Sequence, residues 1–161
     1  MRKILFFMTL SLAVCGCSTL TSAERAERDA KTALAVEKAL AERHYKVAIS
    51  MMNPRRGKAV HVSPDFSLEV KGDTLVSYLP YFGRAYSVPY GGGKGLNFTA
   101  PISEYHAAKG RHGTTLVTLK AINEEDTYSF RLEVFDNGST TIDLSAQQRE
   151  PISYSGQMEL E

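Results

Sequence analysis

From Tyr45 onward this chain alternates apolar and polar residues with a period of two, and the alternation is cut at short intervals by turn residues. A strand points successive side chains to opposite faces, so this pattern describes strands with one buried face. It is clearest in the C-terminal third. Thr114 to Ile122 reads as a strand, Asn123-Glu124-Glu125-Asp126 as a turn, and Thr127 to Phe135 as a strand whose inward face is Tyr128, Phe130, Leu132 and Val134. Asp136-Asn137-Gly138 is a hairpin signal, because Asn-Gly tolerates positive φ. Ile142 and Leu144 then alternate inward, followed by Ile152, Tyr154, Gly156, Met158 and Leu160. Upstream, Lys46 to Met51, Ala59 to Val62, the run with Phe66, Leu68 and Val70, and Thr74 to Leu79 read as strands. Leu96 to Thr99 and Ile102 to His106 read as two more short ones. Links this short join antiparallel neighbours.

Before the alternation the period is different. Thr21-Ser22-Ala23-Glu24 has the form of a capping box, and the following residues to about His44 are rich in Ala, Glu, Lys and Arg with no Gly or Pro. Glu24/Arg28 and Glu27/Lys31 have favourable i,i+4 order, and Ala26, Ala30, Ala33, Leu34, Leu40 and Ala41 form a thin apolar stripe. The helix reads either as packed lightly on the domain or as a stalk. The expected fold class is therefore α+β: an N-terminal helix followed by a mostly antiparallel sheet of seven or eight strands. One curved sheet, a sandwich and a partial barrel all remain open.

The N-terminus carries a different message. Met1-Arg2-Lys3 is a short positive region and Ile4 to Val14 is apolar apart from Thr9 and Ser11, the form of a secretory signal. Val14-Cys15-Gly16-Cys17 resembles a lipobox, with an aliphatic residue at −3, a small one at −1, and the cysteine that receives lipid. Cys15 competes for the role, but bulky Val14 precedes it whereas small Gly16 precedes Cys17. Residues 1–16 are thus expected to be a signal peptide, 17–21 a lipidated tether, 22–44 the helix and 45–161 the antiparallel β domain. Two or three acyl chains anchor a protein stably to a membrane. No acidic run follows the cysteine, which favours an outer-membrane anchor facing the periplasm.

Composition narrows the functions. Of 161 residues only Cys15 and Cys17 are cysteine, so the domain after the anchor has no disulfide, thiolate metal site or cysteine nucleophile. Without Arg2 and Lys3 the chain holds 17 basic and 18 acidic side chains, far from the basic footprint that nucleic acid needs. Gly91-Gly92-Gly93-Lys94-Gly95 lacks the earlier glycine and the following Ser or Thr of a phosphate loop. His106 and His112 flank a basic, glycine-containing turn that suits solvent better than a metal, and Glu124-Glu125-Asp126 lacks the ligand spacing of a calcium loop. No Gly-x-Ser-x-Gly elbow occurs. The reading is a non-enzyme with no cofactor and no metal.

One segment departs from the alternation. Residues 78–95 hold Tyr78, Tyr81, Phe82, Tyr86 and Tyr90, five of the 13 aromatic residues beyond the signal, with two prolines, five glycines, Arg84 and Lys94. Either the rings close one end of the sheet, or they are displayed to a glycan, peptide or protein partner. The run Gly72-Asp73, Ser77-Tyr78-Leu79-Pro80-Tyr81-Phe82-Gly83-Arg84-Ala85-Tyr86, Pro89-Tyr90-Gly91-Gly92 and Gly95-Leu96-Asn97-Phe98 resembles the signature of a Bacteroidetes envelope lipoprotein family known as domain of unknown function 4251. Asn137-Gly138 and Arg149-Glu150-Pro151-Ile152-Ser153-Tyr154-Ser155-Gly156 resemble its C-terminal pattern. The resemblance spans roughly residues 40–160 and implies a small exported lipoprotein, with no catalytic residues to carry over. Asp73-Thr74-Leu75 resembles the acceptor pattern for O-glycosylation in Bacteroides, making Thr74 a candidate modification site. The leading functional expectation is a membrane-anchored binding module. A structural accessory subunit of an envelope assembly and a small hydrolase are the alternatives.

Overall fold

The computed structural model describes residues 21–86, 96–111 and 113–160. Its first element, α1 (Ser22–Ala41), begins on the expected capping box: the Thr21 hydroxyl accepts from the Glu24 amide at 3.3 Å, and Glu24 Oε2 accepts from the Thr21 amide at 2.7 Å. Glu27 and Lys31 form their pair at 2.8 Å, while the Glu24 carboxylate is spent on the cap. The helix stops three residues before His44, because Arg43 takes a left-handed conformation (φ 51°) and turns the chain into the first strand. Only Val36 and Leu40 of α1 are buried; residues 21–31 are all exposed and Leu34 is 66 % exposed. The helix therefore docks through its last two turns, helped by a Glu37–Lys109 ion pair at 3.1 Å.

Nine strands follow: β1 (His44–Pro54), β2 (Val60–His61), β3 (Ser67–Lys71), β4 (Thr74–Leu79), β5 (Leu96–Lys109), β6 (Thr114–Ile122), β7 (Thr127–Phe135), β8 (Ser139–Ala146) and β9 (Ile152–Glu159). Every pairing is antiparallel, and the order is β2-β1-β3-β4-β5-β6-β7-β8-β9 with an additional β1–β9 pairing. That pairing closes the sheet into a barrel, more complete than the partial barrel among the expectations and in place of the open curved sheet or the sandwich. Strand β1 has the length to do this. It meets β3 and then the two-residue β2 on one edge, while Lys46 to Pro54 meets β9 on the other. Closure satisfies the backbone groups that two terminal edge strands would otherwise expose.

The β1–β9 seam needs two local devices. Strand β1 carries a bulge between Ile49 and Met51, so its inward set runs Tyr45, Val47, Ile49 and then Met52. Opposite the bulge stands Gly156, paired with Ile49, where a Cβ would run into the Ala48 carbonyl oxygen. Strand β5 departs from the expectation. Its two expected short strands are one strand of 14 residues running through Pro101. Proline lacks the amide that a ladder requires. Pro101 is the last β5 residue to pair with β4, and from Ile102 the strand pairs with β6. Beyond Pro101 the other edge of β5 has no strand beside it among the described residues, and the C-terminal turns of α1 lie there, next to Ala107, Ala108 and Lys109.

The interior is filled by the inward half of the alternation. Val47, Leu68, Leu75, Val117, Leu132 and Ile142 have no solvent exposure, and neither do the rings of Tyr128 and Tyr154. The outer wall carries Thr118, Lys120, Arg131 and Asp143, the reverse of a barrel whose outer wall meets lipid. Among the described residues no helix is long and apolar enough to cross a membrane.

Burial raises the ionisation of the Tyr45, Tyr105, Tyr128 and Tyr154 hydroxyls above the ordinary tyrosine value near 10. These phenols stay protonated in the fold at pH values where the unfolded chain has begun to lose them. Their contribution is thus complete below about pH 10 and is lost progressively above it. The urea midpoint should hold steady up to about pH 9 and fall above about pH 10. A midpoint unchanged at higher pH would contradict this burial.

Candidate functional site: a pinned aromatic loop and a trough on the outer wall

The up-and-down order sorts the connections into two ends. The α1–β1 link and the β3–β4, β5–β6 and β7–β8 turns lie at one end; the β4–β5, β6–β7 and β8–β9 loops lie at the other. The aromatic segment is the β4–β5 loop, so it sits at the end opposite the helix.

Residues 80–86 are fastened to the β8–β9 loop along their length. Tyr154 donates its hydroxyl to the Pro80 carbonyl at 2.7 Å, the Tyr86 amide donates to Gln148 O at 2.7 Å, and the Glu150 amide donates to Arg84 O at 3.0 Å. An isolated bridge joins Ala85 to Arg149. The Tyr81 ring folds back over Gly83, where a Cβ would meet its hydroxyl oxygen at 2.7 Å. That hydroxyl lies 2.9 Å from Arg84 O and 3.2 Å from Glu150 O, and the Arg149 guanidinium stands 5.6 Å above the ring. Burial raises its ionisation, outweighing the lowering by its bond to Glu150 and by Arg149.

The β8–β9 loop is itself held from below. Asp126, the last residue of the acidic turn, is buried, and its carboxylate accepts from the amides of Thr127 (2.7 Å), Gln147 (3.0 Å) and Gln148 (3.1 Å). Arg149 is buried and reaches Glu125 at 3.5 Å. The acidic turn between β6 and β7 is thus also the support of the loop above it.

With the backbone fixed in this way, the six aromatic-segment candidates separate. Tyr81 is structural. Phe82 and Tyr86 are 66 % and 67 % exposed, and Arg84 between them is exposed as well. Tyr78 lies on the outer wall of β4, 45 % exposed and stacked on Phe66 with centroids 5.1 Å apart. Tyr90 and Cys17 lie outside the described residues. Thr74 opens β4, half-buried and paired with Lys71 and Pro101, well away from the aromatic loop at the opposite end of its strand. Among the described residues no group of His, Cys, Asp and Glu is arranged to hold a metal.

A second feature was not legible in any single stretch of sequence. On the outer wall near the loop end, a trough of about 820 Å³ crosses β5 to β9 and β1. Strand register lines its residues up in two rows. One row runs His106, Thr118, Arg131, Asp143, Ser153 and Asn53; the other runs Glu104, Lys120, Ser129 and Ser145. Six strands at the usual spacing give the longer row a length of about 24 Å. Glu104 and Lys120 pair at 2.9 Å at one end, and Arg55 and Pro151 stand at the other. Read along the chain, these are the outward halves of ordinary strands. Only the register makes them one surface, and the outward serines of β7, β8 and β9 are the clue that a sequence-level pairing could have used.

Residues 27–158 match the sequence family described as Domain of unknown function (DUF4251). The fold resembles a crystal structure of a DUF4251 family protein from Bacteroides eggerthii DSM 20697, with a TM-score of 0.63 and 14 % identity over 83 % of this chain and 91 % of that one. At that identity the likeness concerns the fold. No curated protein matches the chain.

Proposed function

Since this chain belongs to the DUF4251 family, we propose that it is the precursor of a lipid-anchored bacterial envelope protein whose barrel binds a partner non-catalytically through Phe82, Arg84 and Tyr86. The observation that carries this reading is the fixed backbone beneath exposed rings. Apolar rings left in water normally fold inward or sit on mobile loops. Here the hydrogen bonds to Gln148, Glu150 and Tyr154 hold the segment while two rings stay two-thirds exposed. A preformed surface spares a partner the ordering cost of binding. Tyrosine and arginine are side chains that concentrate interface energy.

The anchor fits the same geometry. Lipid on Cys17 would enter the fold through α1, at the end opposite the aromatic loop, so the rings would face away from the membrane. The ten exposed residues Ser22–Lys31 amount to about 15 Å of helix, a stalk rather than a flank. The bilayer we favour is the outer membrane, with the barrel in the periplasm. The partner is a glycan, peptide or protein. A second reading, an accessory subunit of an envelope assembly, is favoured by exposed Leu34 on a helix with most of its surface unused.

Two measurements test the proposal. Labelled palmitate fed to the host should appear in the wild-type protein and be absent from Cys17→Ala; label retained in the variant would overturn the anchor. A photoreactive benzoylphenylalanine at Phe82 should give a discrete adduct in cells, whereas the same probe at Phe135, an exposed aromatic at the helix end, should not. Equal labelling at both positions, or none at either, would overturn the loop as the binding surface.

A further inference from the structure

We propose that the trough on the outer wall is a second binding site, one that takes a linear oligosaccharide that is neutral or of balanced charge. The inference rests on the reading of the chain as a binding module but uses none of the residues of the aromatic loop. The hollow exists because its floor is made of small side chains. Ser129, Ser145 and Ser153 are outward residues on three adjacent strands, where larger side chains would fill the space. Each hydroxyl both donates and accepts, as the hydroxyls of a sugar do. Beside them Arg131 supplies planar donors and Asp143, its neighbour across β7–β8, supplies acceptors.

The other ligand classes fit less well. Peptides are usually taken by extending a free strand edge or by seating apolar side chains in pockets. From β6 to β9 every strand beneath the trough is hydrogen-bonded on both edges, and the open edge of β5 beyond Pro101 lies at the end of the row rather than along the floor. The large apolar side chains of the same strands, Leu119, Phe130, Leu144 and Ile152, are buried, so the apolar part of the lining comes from Pro54, Pro151 and side-chain stems. A polyanion calls for several cations in excess, and here Lys120 pairs with Glu104 and Arg131 neighbours Asp143, which leaves Arg55 as the one surplus cation among these residues. The lining suits a hydrophilic chain that runs across the strands and follows the curve of the barrel wall, about 24 Å along the longer row.

The test is calorimetric titration of the detergent-solubilised full chain with cellohexaose, xylohexaose, mannohexaose and chitohexaose. At least one should bind with a dissociation constant between about 1 μM and 1 mM. Ser145→Leu, which fills the floor, and Asp143→Ala, which removes acceptors, should each weaken it at least about tenfold with an unchanged melting temperature. If Ser145→Leu fails to fold, Arg131→Gln takes its place, since it adds no bulk. Phe82→Ala/Tyr86→Ala should bind the saccharide as the wild type does, so a lost loop partner with intact saccharide binding separates failure of one site from failure of the other. No binding by any of the four hexasaccharides at about 10 mM overturns the proposal. So does binding that survives both trough variants, or trough-dependent binding of a mixed Glu–Lys–Ser hexapeptide with none of a saccharide.

Discussion

Replacing Gly156 by alanine is expected to destabilise the domain by about 3 kcal/mol or more, the upper range for overpacking at a site that cannot relax. The added Cβ would collide with the Ala48 carbonyl oxygen, which is backbone and not the end of a flexible side chain. Strand β1 cannot retreat cheaply, because Ala48 is paired on its other edge with Ser67 of β3 and the bulge at Ser50 sits two residues on. In an open sheet the last strand could swing away at little cost; in a closed barrel the displacement reaches both neighbours. Urea unfolding of the variant measures the loss. A midpoint equal to wild type would mean that the β1–β9 seam is looser than described and that closure contributes little.

Asp126→Ala is the second large effect, expected at about 3 kcal/mol and concentrated in one place. The carboxylate satisfies the amides of Thr127, Gln147 and Gln148, and it is buried. Removing it leaves these donors to find water, each at a cost of about 1–3 kcal/mol less whatever the loop regains by relaxing. The distinguishing sign is local. Amide exchange should accelerate at Gln147, Gln148 and Glu150 and at Tyr86, whose amide leans on Gln148, while the β6–β7 ladder from Thr115 to Leu119 stays protected. Uniform acceleration across the barrel would contradict the role of Asp126 as support of that loop.

The parts of this fold that the sequence discloses are those set by local rules. The capping box at Thr21, the Asn137-Gly138 hairpin (Gly138 φ 81°) and the inward set Tyr128, Phe130, Leu132 and Val134 all follow from spacing of a few residues. The parts that stay hidden depend on distant partners. Nothing near Ile49 announces that it will face Gly156, so closure is invisible until both strands are placed. Pro101 reads as a strand break because its missing amide is a local fact, while the change of partner that accommodates it is not. Asp126 looks like one more turn carboxylate until Gln147 and Gln148 arrive above it. The aromatic segment was visible as an anomaly, but its division into a structural Tyr81 and displayed Phe82 and Tyr86 required the β8–β9 loop. The trough needed the register of six strands.

The double variant Phe82→Ala/Tyr86→Ala tests most directly the proposal that the barrel holds these two rings out for a partner, when melting temperature and chemical crosslinking of the protein in its host, with no photoprobe in the loop, are measured together. Two-thirds-exposed rings contribute little to the core, so the melting temperature should fall by no more than about 3 °C, and the adduct formed by the wild-type protein should disappear. A protein that unfolds on losing the rings, or one that keeps both its stability and its adduct, would contradict the claim.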